Sequence, residues 1–256
     1  MRFPAIASFA LGLTSVLTLS PLAGAQSAAK ADWAYAGKYG PLNWSRLDPA
    51  YSACNKGRQQ SPVDVRGARL NSGLKPIQFH FVGGPVTVDN DGHAIVVRPL
   101  PGSSVLIDGV PYNLVDFTFH HPSEHAVNGE LSDMEVDFLT RSADGKMAML
   151  AVLLTENSDF PNATVAMLWQ HLPAQNGQSE KDDDMVNPGG LFPSDPGYWT
   201  YTGSLPAPPC TEGVQWYVFE TPVNISRRQL DTFVRIFRMN TRPLQEMHGR
   251  RIAANE

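Results

Sequence analysis

The sequence predicts a mainly β fold, built as a single domain with a few short surface helices. The body of the chain consists of short runs rich in Val, Phe, Leu and Ile, separated by Gly, Pro, Asn and Asp, which is the pattern of strands joined by turns. The 256 residues include 21 Gly and 21 Pro, which again indicates many turns. No internal repeat or low-complexity linker divides the sequence, so one domain with a substantial core is expected over residues 26–256.

The N-terminal segment is predicted to be a secretory signal covering residues 1–25. Arg2 precedes an apolar run from Phe9 to Leu19, and an Ala-Gly-Ala sequence at 23–25 supplies small residues for cleavage. The run is too short to span a bilayer, and no later segment has the roughly 18 uninterrupted apolar residues that a span needs. We therefore expect cleavage near Ala25 and a secreted or periplasmic product without a membrane span.

Six segments have the composition of β-strands. Val, Phe, Leu and Ile dominate them, and turn-forming residues bound them. The predicted strands cover residues 86–98, 104–107, 113–121, 133–140, 147–155 and 213–221. The short acidic run Asp182-Asp183-Asp184 is predicted to be a solvated loop.

Residues 226–237 have the periodicity of a helix. Ser226 can cap its start, and Gln229 can complete a capping box. Apolar residues then recur at helical spacing on one face. They are Leu230, Phe233, Val234 and Phe237. A second, shorter helix is predicted around residues 162–170.

Strand alternation predicts that two neighbouring strands aim polar side chains into one cleft. Successive side chains of a strand point to opposite faces. In 114–120, the face expected to enter the core carries Val115, Phe117 and Phe119. The opposite face carries Leu114, Asp116, Thr118 and His120. In 133–139, the face with Met134, Val136 and Phe138 lies opposite a face that carries Glu135, Asp137 and Leu139.

Charge and cysteine content narrow the classes of function. The net charge of −5 becomes −6 once Arg2 leaves with the signal. The sequence has no basic patch with interleaved aromatic residues, so nucleic acid is not expected as a partner. Cys54 and Cys210 are the only cysteines. A secreted chain with two cysteines most simply forms one disulfide, and two buried thiols are the alternative.

Six sequence blocks resemble, in order and spacing, those of the α-type carbonic anhydrases. They are Trp33-Ala34-Tyr35 with Gly40-Pro41 and Trp44, Cys54 with Gln60-Ser61-Pro62-Val63-Asp64-Val65, Asn90-Asp91-Gly92-His93, Pro122-Ser123-Glu124-His125, Gly203-Ser204-Leu205 with Pro208-Pro209-Cys210, and Asn240-Thr241-Arg242-Pro243. The resemblance covers nearly the whole mature chain. It implies a large, twisted, mainly antiparallel sheet with the active cleft at its centre, and a disulfide between Cys54 and Cys210.

The same resemblance implies a zinc site, and the residues at its three ligand positions are unusual. The family holds zinc with an H-x-H pair on one strand and a third His on the next, whereas these positions here read Thr118, His120 and Asp137. Catalytic zinc takes three protein ligands and leaves a fourth position for water, and Thr118 offers only a neutral hydroxyl. We therefore expect no zinc at full occupancy. Zinc remains the cofactor if the site is an unorthodox one, and another divalent cation is a further alternative.

Further substitutions affect the groups that the resemblance places around the zinc. The position of the Thr that orients the zinc-bound hydroxide is Pro206, which has neither a hydroxyl nor a backbone N–H. Glu124 would then lose its hydroxyl partner, and burial should raise its pKa. Asp116 replaces a Gln that supports the first His. His93 matches the proton-shuttle position, but neither it nor Glu124 is expected to retain a catalytic role.

The cleft itself is expected to persist. The resemblance assigns an apolar wall to Leu139, Val152, Leu205, Val214 and Trp216. It also maps four carboxylates to one cleft, from Asp116, Glu124, Glu135 and Asp137. Such a cluster either holds a hard cation such as Ca²⁺ or Mn²⁺, or is satisfied by local hydrogen bonds, including one between Asp137 and His120.

These observations favour a secreted carbonic-anhydrase-like protein without efficient CO2 hydration, acting as a binding or structural module. Its expected partner is an unknown small molecule or protein. The alternative is an active carbonic anhydrase, or a weak esterase, with an unorthodox metal site. A fold alone does not carry a function, so the decision depends on the site.

Overall fold

A computed structural model of the protein describes Met1 and residues 32–255, without the side chain of Ser158. The predicted secretory signal over residues 1–25 lies, apart from Met1, outside the described residues. Within the described part of the chain, no helix has the length and apolar character needed to cross a membrane.

Short strands make up most of the structure. In chain order they are β1 Asp64–Val65, β2 Arg69–Leu70, β3 Gln78–His80, β4 Gly84–Asn90, β5 Ile95–Pro99, β6 Ser104–Ile107, β7 Val110–His120, β8 Ala126–Val127, β9 Glu130–Leu131, β10 Met134–Ser142, β11 Met147–Ser158, β12 Ser179–Val186, β13 Tyr198–Ser204, β14 Glu212–Phe219, β15 Val223–Ser226 and β16 Ala253–Ala254. The helices are α1 Trp44–Leu47, α2 Ala53–Lys56, α3 Ala163–Leu168 and α4 Arg227–Val234. Single 3₁₀ turns cover Gly37–Tyr39, Pro41–Asn43, Pro49–Tyr51, Trp169–His171 and Pro188–Leu191.

One large sheet organises the fold. Its main path runs β12-β4-β5-β7-β10-β11-β14-β13-β16-β2, with β7, β10 and β11 at the centre. Most neighbours are antiparallel, but β11 pairs parallel with both β14 and β15, and β16 pairs parallel with β2. A second, small sheet contains β1, β8 and β9. The predicted mainly β fold with a large, mostly antiparallel sheet is confirmed.

Two sequence predictions about strands are wrong in informative ways. Residues 86–98 form a hairpin rather than one strand, because a turn at 91–94 containing Gly92, with a φ of +85°, separates β4 from β5. The run Asp182-Asp183-Asp184 lies in edge strand β12, whose residues 179–182 pair with β4. Charged side chains are common on an edge strand, since they deter pairing with another chain.

The core lies mainly on one face of the sheet. Phe117 and Phe119 of β7 are fully buried there, and the Phe117 ring stacks on Phe138 of β10 at 5.0 Å between centroids. Val115 was expected to join them but is 41% exposed, whereas Leu114 is buried. The register between β7 and β10 shifts between Leu139 and Thr140, which pair with Asp116 and Leu114. Val115 is therefore the extra residue of a bulge on β7, and the bulge turns Leu114 to the buried face and Val115 to the exposed one.

Helices and a disulfide close the fold. Ser226 and Gln229 form the predicted capping box at the start of α4, and Leu230 and Phe233 are buried. The shorter predicted helix corresponds to α3 and the 3₁₀ turn that follows it. Cys54 and Cys210 form the predicted disulfide across 156 positions of sequence.

Candidate ligand-binding cleft

The pairing of β7 with β10 brings the predicted polar residues together. Asp137 lies opposite Thr118, and Leu139 lies opposite Asp116. With His120, these side chains line a cavity of about 190 Å³ at the centre of the large sheet. The cavity is also lined by Trp33, Tyr35, Asp91, His93, Ala94, Val96, Met149, Leu205, Pro206, Ala207 and Pro208.

His120 is held in one orientation by the backbone. Its Nδ1 lies 2.9 Å from the carbonyl oxygen of Asn240, so Nδ1 carries the proton and donates to that carbonyl. Its Nε2 then presents a lone pair, 3.8 Å from Oδ2 of Asp137. Burial lowers the pKa of His120. The ring is therefore a neutral imidazole at neutral pH, anchored on one side and able to accept a proton or bind a ligand on the other.

Asp137 is a buried carboxyl group with unmet hydrogen-bonding capacity. Neither of its oxygens has a hydrogen-bond partner among the described residues. The 3.8 Å contact with His120 is too long for the hydrogen bond that the sequence suggested. Burial and the nearby negative charge of Glu135 raise its pKa well above the usual range. A protonated Asp137 would offer a donor as well as acceptors to a ligand in the cleft.

The predicted cluster of four carboxylates is divided. Glu135 lies behind the cleft, where its two oxygens accept from the backbone N–H and Nδ1 of His125, at 2.8 and 2.7 Å. Burial raises the pKa of Glu135, but the charge and hydrogen bonds of His125 outweigh burial and lower it overall. His125 is also 2.7 Å from the hydroxyl of Tyr201, which donates to Ser61. This buried network supports the sheet behind the cleft and takes Glu135 out of the cavity.

Glu124 is also behind the cleft. One of its oxygens accepts from the backbone N–H of Arg242 at 3.3 Å and lies 3.4 Å from Nδ1 of His120. The other oxygen has no hydrogen-bond partner within the described part of the chain. Burial and the charge of Glu135 raise the pKa of Glu124 well above its usual range, the direction that the sequence predicted. Asp116 and Asp137 are therefore the predicted carboxylates that line the cavity.

The apolar wall differs from its predicted membership. Leu139 and Leu205 line the cavity. Val214 and Trp216 are fully buried behind it, in the cluster that includes Met149. The prediction for Val152 is wrong, because Val152 belongs to the core on the opposite face of the sheet. Alternation along β11 places Met149 on the cleft face instead, three residues earlier.

His93 and Trp33 form one rim of the cavity. Their rings are parallel to within 8°, with centroids 3.7 Å apart. Sequence reasoning predicted neither this stack nor Met149. The N-terminal segment that carries Trp33 has no regular periodicity. Met149 reaches the cleft face through the register of β11 with β10, which the structure supplies and alternation alone does not.

The chemistry of the donors argues against the zinc site that the resemblance implies. His120 and Asp137 are two groups of the kinds that bind zinc, and Thr118 adds a hydroxyl, which is not among the usual zinc ligands. Among residues 32–255, the cleft has no set of three His, Cys, Asp or Glu donors close enough to share an ion. Pro206 lines the same cavity and has no N–H or hydroxyl to orient a bound oxygen. The cleft therefore does not fit a three-ligand catalytic zinc.

Comparisons with known proteins agree with the fold. The sequence model described as eukaryotic-type carbonic anhydrase matches residues 39–256. A carbonic anhydrase from Pectobacterium carotovorum is 35% identical, over 93% of this chain and 97% of that protein. The solved α-carbonic anhydrase from Thermovibrio ammonificans, in complex with the inhibitor sulfanilamide, superimposes with a TM-score of 0.84 at 34% identity, covering 88% of this chain and all of the other.

A second similar structure is that of a dioscorin rather than of a protein named carbonic anhydrase. Dioscorin complexed with ascorbate superimposes with a TM-score of 0.81 at 29% identity, over 87% of this chain and 97% of the other. The matched length, the superimposed structures and the bacterial relatives agree with one another. This chain is a member of the α-type carbonic anhydrase family.

Proposed function

We propose that this protein is a secreted member of the family whose cleft binds a small polar molecule and does not hydrate CO2 efficiently. The observation that carries the proposal is the donor set of Thr118, His120 and Asp137, which presents one imidazole, one carboxyl group and one hydroxyl to the same small cavity. Efficient hydration needs a zinc-bound water that ionises near neutral pH. The hydroxyl, the imidazole and the carboxyl group of this set can each hydrogen-bond to an organic ligand that carries hydroxyl or carbonyl oxygens. They suit such a ligand better than a catalytic zinc ion.

The rest of the cavity supports binding rather than turnover. Leu139, Leu205 and Met149 provide apolar contact, and the stacked pair Trp33–His93 provides an aromatic rim. His93 in this arrangement offers a ligand a flat surface, and it has no zinc-bound water to serve as proton relay. Dioscorin, whose solved structure holds ascorbate, indicates that the fold accepts a small, oxygen-rich organic molecule.

The alternative is an active anhydrase with an unorthodox metal. Two observations favour it. The Nε2 of His120 is directed towards Asp137 at a distance compatible with a shared ion, and the bacterial relative from Pectobacterium is named a carbonic anhydrase. Its metal would have to be held by two strong ligands and one hydroxyl, and the position of Pro206 would leave any bound oxygen without its orienting donor.

Metal content and hydration decide between these two functions. The purified, tag-free mature protein should hold well under one equivalent of zinc in elemental analysis. Stopped-flow CO2 hydration should be close to the uncatalysed rate, with a carbonic anhydrase relative measured in parallel as the positive control. Stoichiometric zinc together with rapid hydration would establish the alternative.

A series of restoring substitutions tests whether Thr118, Asp137 and Pro206 are the reason for weak zinc binding and slow hydration. Thr118→His combined with Asp137→His should restore zinc binding, because His120 keeps its anchored orientation. Hydration should stay low in this double variant and rise when Pro206→Thr is added, since the Thr restores a hydroxyl and a backbone N–H. The two variants are compared at equal zinc occupancy. Equal activity of the double and triple variants would show that Pro206 does not by itself reduce hydration.

Ascorbate is a suitable first probe of the binding role. Calorimetric titration should show binding to the wild-type protein, and Thr118→Val should weaken it by removing one hydrogen-bonding group of the cavity. Asp144→Asn changes an exposed carboxylate in the turn between β10 and β11 that does not line the cavity, so this control variant should bind normally. Absence of any binding would exclude ascorbate as a ligand of the cleft and count against the proposed binding role.

A further inference from the structure

A second cluster of possible ligands lies at the edge of the large sheet, away from the cleft. It consists of His171, at the end of the 3₁₀ turn after α3, with Asp182 and Asp184 of β12. Each residue offers one donor atom, and the three donor atoms lie within 4.8 Å of one another. Within the described part of the chain, this is the group of three His, Cys, Asp or Glu side chains arranged closely enough to hold an ion.

An irregularity in the edge strand brings the two carboxylates together. β12 pairs with β4 at Asp182, opposite Val86, and regular pairing is interrupted between there and Val186. Within the interruption, the backbone N–H of Asp184 donates to Oδ1 of Asp182 at 2.9 Å. Asp182 points inward and is fully buried, whereas Asp184 is exposed. The strand thus places one carboxylate beneath the surface and a second one above it.

The buried carboxylate of Asp182 is incompletely satisfied, and this is the observation that points to a ligand. Its Oδ2 is inaccessible to solvent and has no hydrogen-bond partner among residues 32–255. A buried carboxylate without compensation is costly, because it loses the hydration that stabilises its charge. Asp183 and Asp184 follow directly and add negative charge. Hydrogen bonding within the cluster therefore does not account for a buried acid at this position.

The distance to His171 fits a shared ion better than a direct contact. The Nε2 of His171 lies 3.7 Å from Oδ1 of Asp182, which is beyond hydrogen-bonding distance. Two donors that each lie about 2.0–2.2 Å from one metal ion are themselves separated by roughly 3–4 Å. His171 is partly exposed, so an ion could enter from solvent and keep water in its remaining positions.

We propose that His171, Asp182 and Asp184 form a binding site for a divalent first-row transition ion such as Zn²⁺ or Mn²⁺. The imidazole favours these ions over Ca²⁺ or Mg²⁺, which prefer oxygen ligands alone. The ion neutralises the buried carboxylate and ties edge strand β12 to the 3₁₀ turn that follows α3. The site shares no residue with the cleft and does not depend on the proposed function.

Thermal denaturation with added metal tests the site. The tag-free mature protein is first stripped with EDTA and then melted with ZnCl₂, MnCl₂ or CaCl₂. A ligand at a hundredfold excess over its Kd should raise the Tm of a domain of this size by roughly 5–10 °C. We expect this rise with Zn²⁺ or Mn²⁺ and a much smaller one with Ca²⁺. No rise with either transition ion at millimolar concentration would overturn the proposal.

Matched variants locate the bound ion. His171→Gln and Asp184→Asn should each remove most of the metal-dependent rise while leaving the Tm in EDTA close to that of the wild type. Asp137→Asn, in the cleft, should keep the full rise. A rise that persists in both edge variants, or that disappears in Asp137→Asn, would assign the ion elsewhere and refute the site.

Asp182→Asn provides a second, opposite signature. It should abolish the metal-dependent rise and also raise the Tm in EDTA, because an amide replaces a buried carboxyl group whose Oδ2 has no hydrogen-bond partner among residues 32–255. If Asp182 had only a structural role, adding metal would not change the Tm through this residue, and Asp182→Asn would leave the metal-dependent rise unchanged. If Asp182→Asn lowers the Tm in EDTA and retains the response to metal, the role assigned to Asp182 is wrong.

Discussion

Removal of the disulfide should destabilise this domain by an amount that can be worked from the chain. Cys54 and Cys210 are separated by 156 positions, and both are buried. In the chain-entropy model, a cross-link that closes a loop of this length lowers the entropy of the unfolded state by about 17 cal/mol/K, or about 5 kcal/mol at 25 °C. Each kcal/mol corresponds to roughly 2–4 °C in Tm for a domain of this size. The double variant Cys54→Ala, Cys210→Ala should therefore melt at least 10 °C below the wild type.

Differential scanning calorimetry at neutral pH measures this loss. Reductant should lower the Tm of the wild type towards that of the double variant, and it should leave the double variant unchanged, which controls for effects of the reagent. Small residues at both positions avoid placing new hydroxyl groups in the buried cluster around Trp44. A double variant that melts within 2 °C of the oxidised wild type would refute the entropic account of this cross-link.

Three further changes test the core, the buried arginine and the buried acid. Phe117→Ala should lower the free energy of unfolding by about 3–5 kcal/mol, because a fully buried ring is lost from the core; a loss below 1 kcal/mol in urea denaturation would contradict its placement. Arg242→Met should lower the free energy of unfolding by roughly 3 kcal/mol or more, because the guanidinium donates to buried oxygens of Gln60, Ser61 and Cys54 that would lose their partner. An unchanged midpoint of urea denaturation would show that water satisfies these oxygens in the variant. The pKa of Glu124 is higher in the folded protein than in the unfolded chain, because burial disfavours the charged form. The contribution of Glu124 to the free energy of unfolding is therefore complete at pH values below the unfolded pKa, and it is lost as pH rises through the folded pKa. The Tm of Glu124→Gln relative to wild type should therefore become more positive from pH 5 to pH 8, and a difference that is flat or falls with pH would contradict the raised pKa.

Local sequence was sufficient to predict the strands that carry the cleft. Alternation along 114–120 and 133–139 placed Thr118, His120 and Asp137 on one polar face, and the structure brings these three side chains into one cavity. The capping box at Ser226 and Gln229 was equally visible, because both partners lie within four residues of one another. Such features depend on the period of the strand or helix, which the chain carries in its own order of residues.

Register was harder to predict, because it depends on the partner strand. The bulge next to Leu139 exchanged the burial of Leu114 and Val115. Val152 was assigned to the cleft by resemblance, whereas the pairing of β11 with β10 directs it to the core. A shift of one residue in a strand moves a side chain to the other face, and nothing local to 147–155 marks which face meets the cleft.

The sequence by itself determined the family blocks, the two cysteines and the residue types that now occupy the cleft. Only the tertiary structure decided which acids share it. Hydrogen bonds from His125 hold Glu135 behind the cleft, and Glu124 also lies behind it, with one hydrogen bond from the backbone N–H of Arg242. Asp137 instead lines the cavity, and neither of its oxygens has a hydrogen-bond partner among the described residues. Asp182 was expected in a solvated loop and is buried at a sheet edge instead. The ionisation of a carboxyl group depends on its solvation and on the charges around it, and both are set by segments that are distant along the chain.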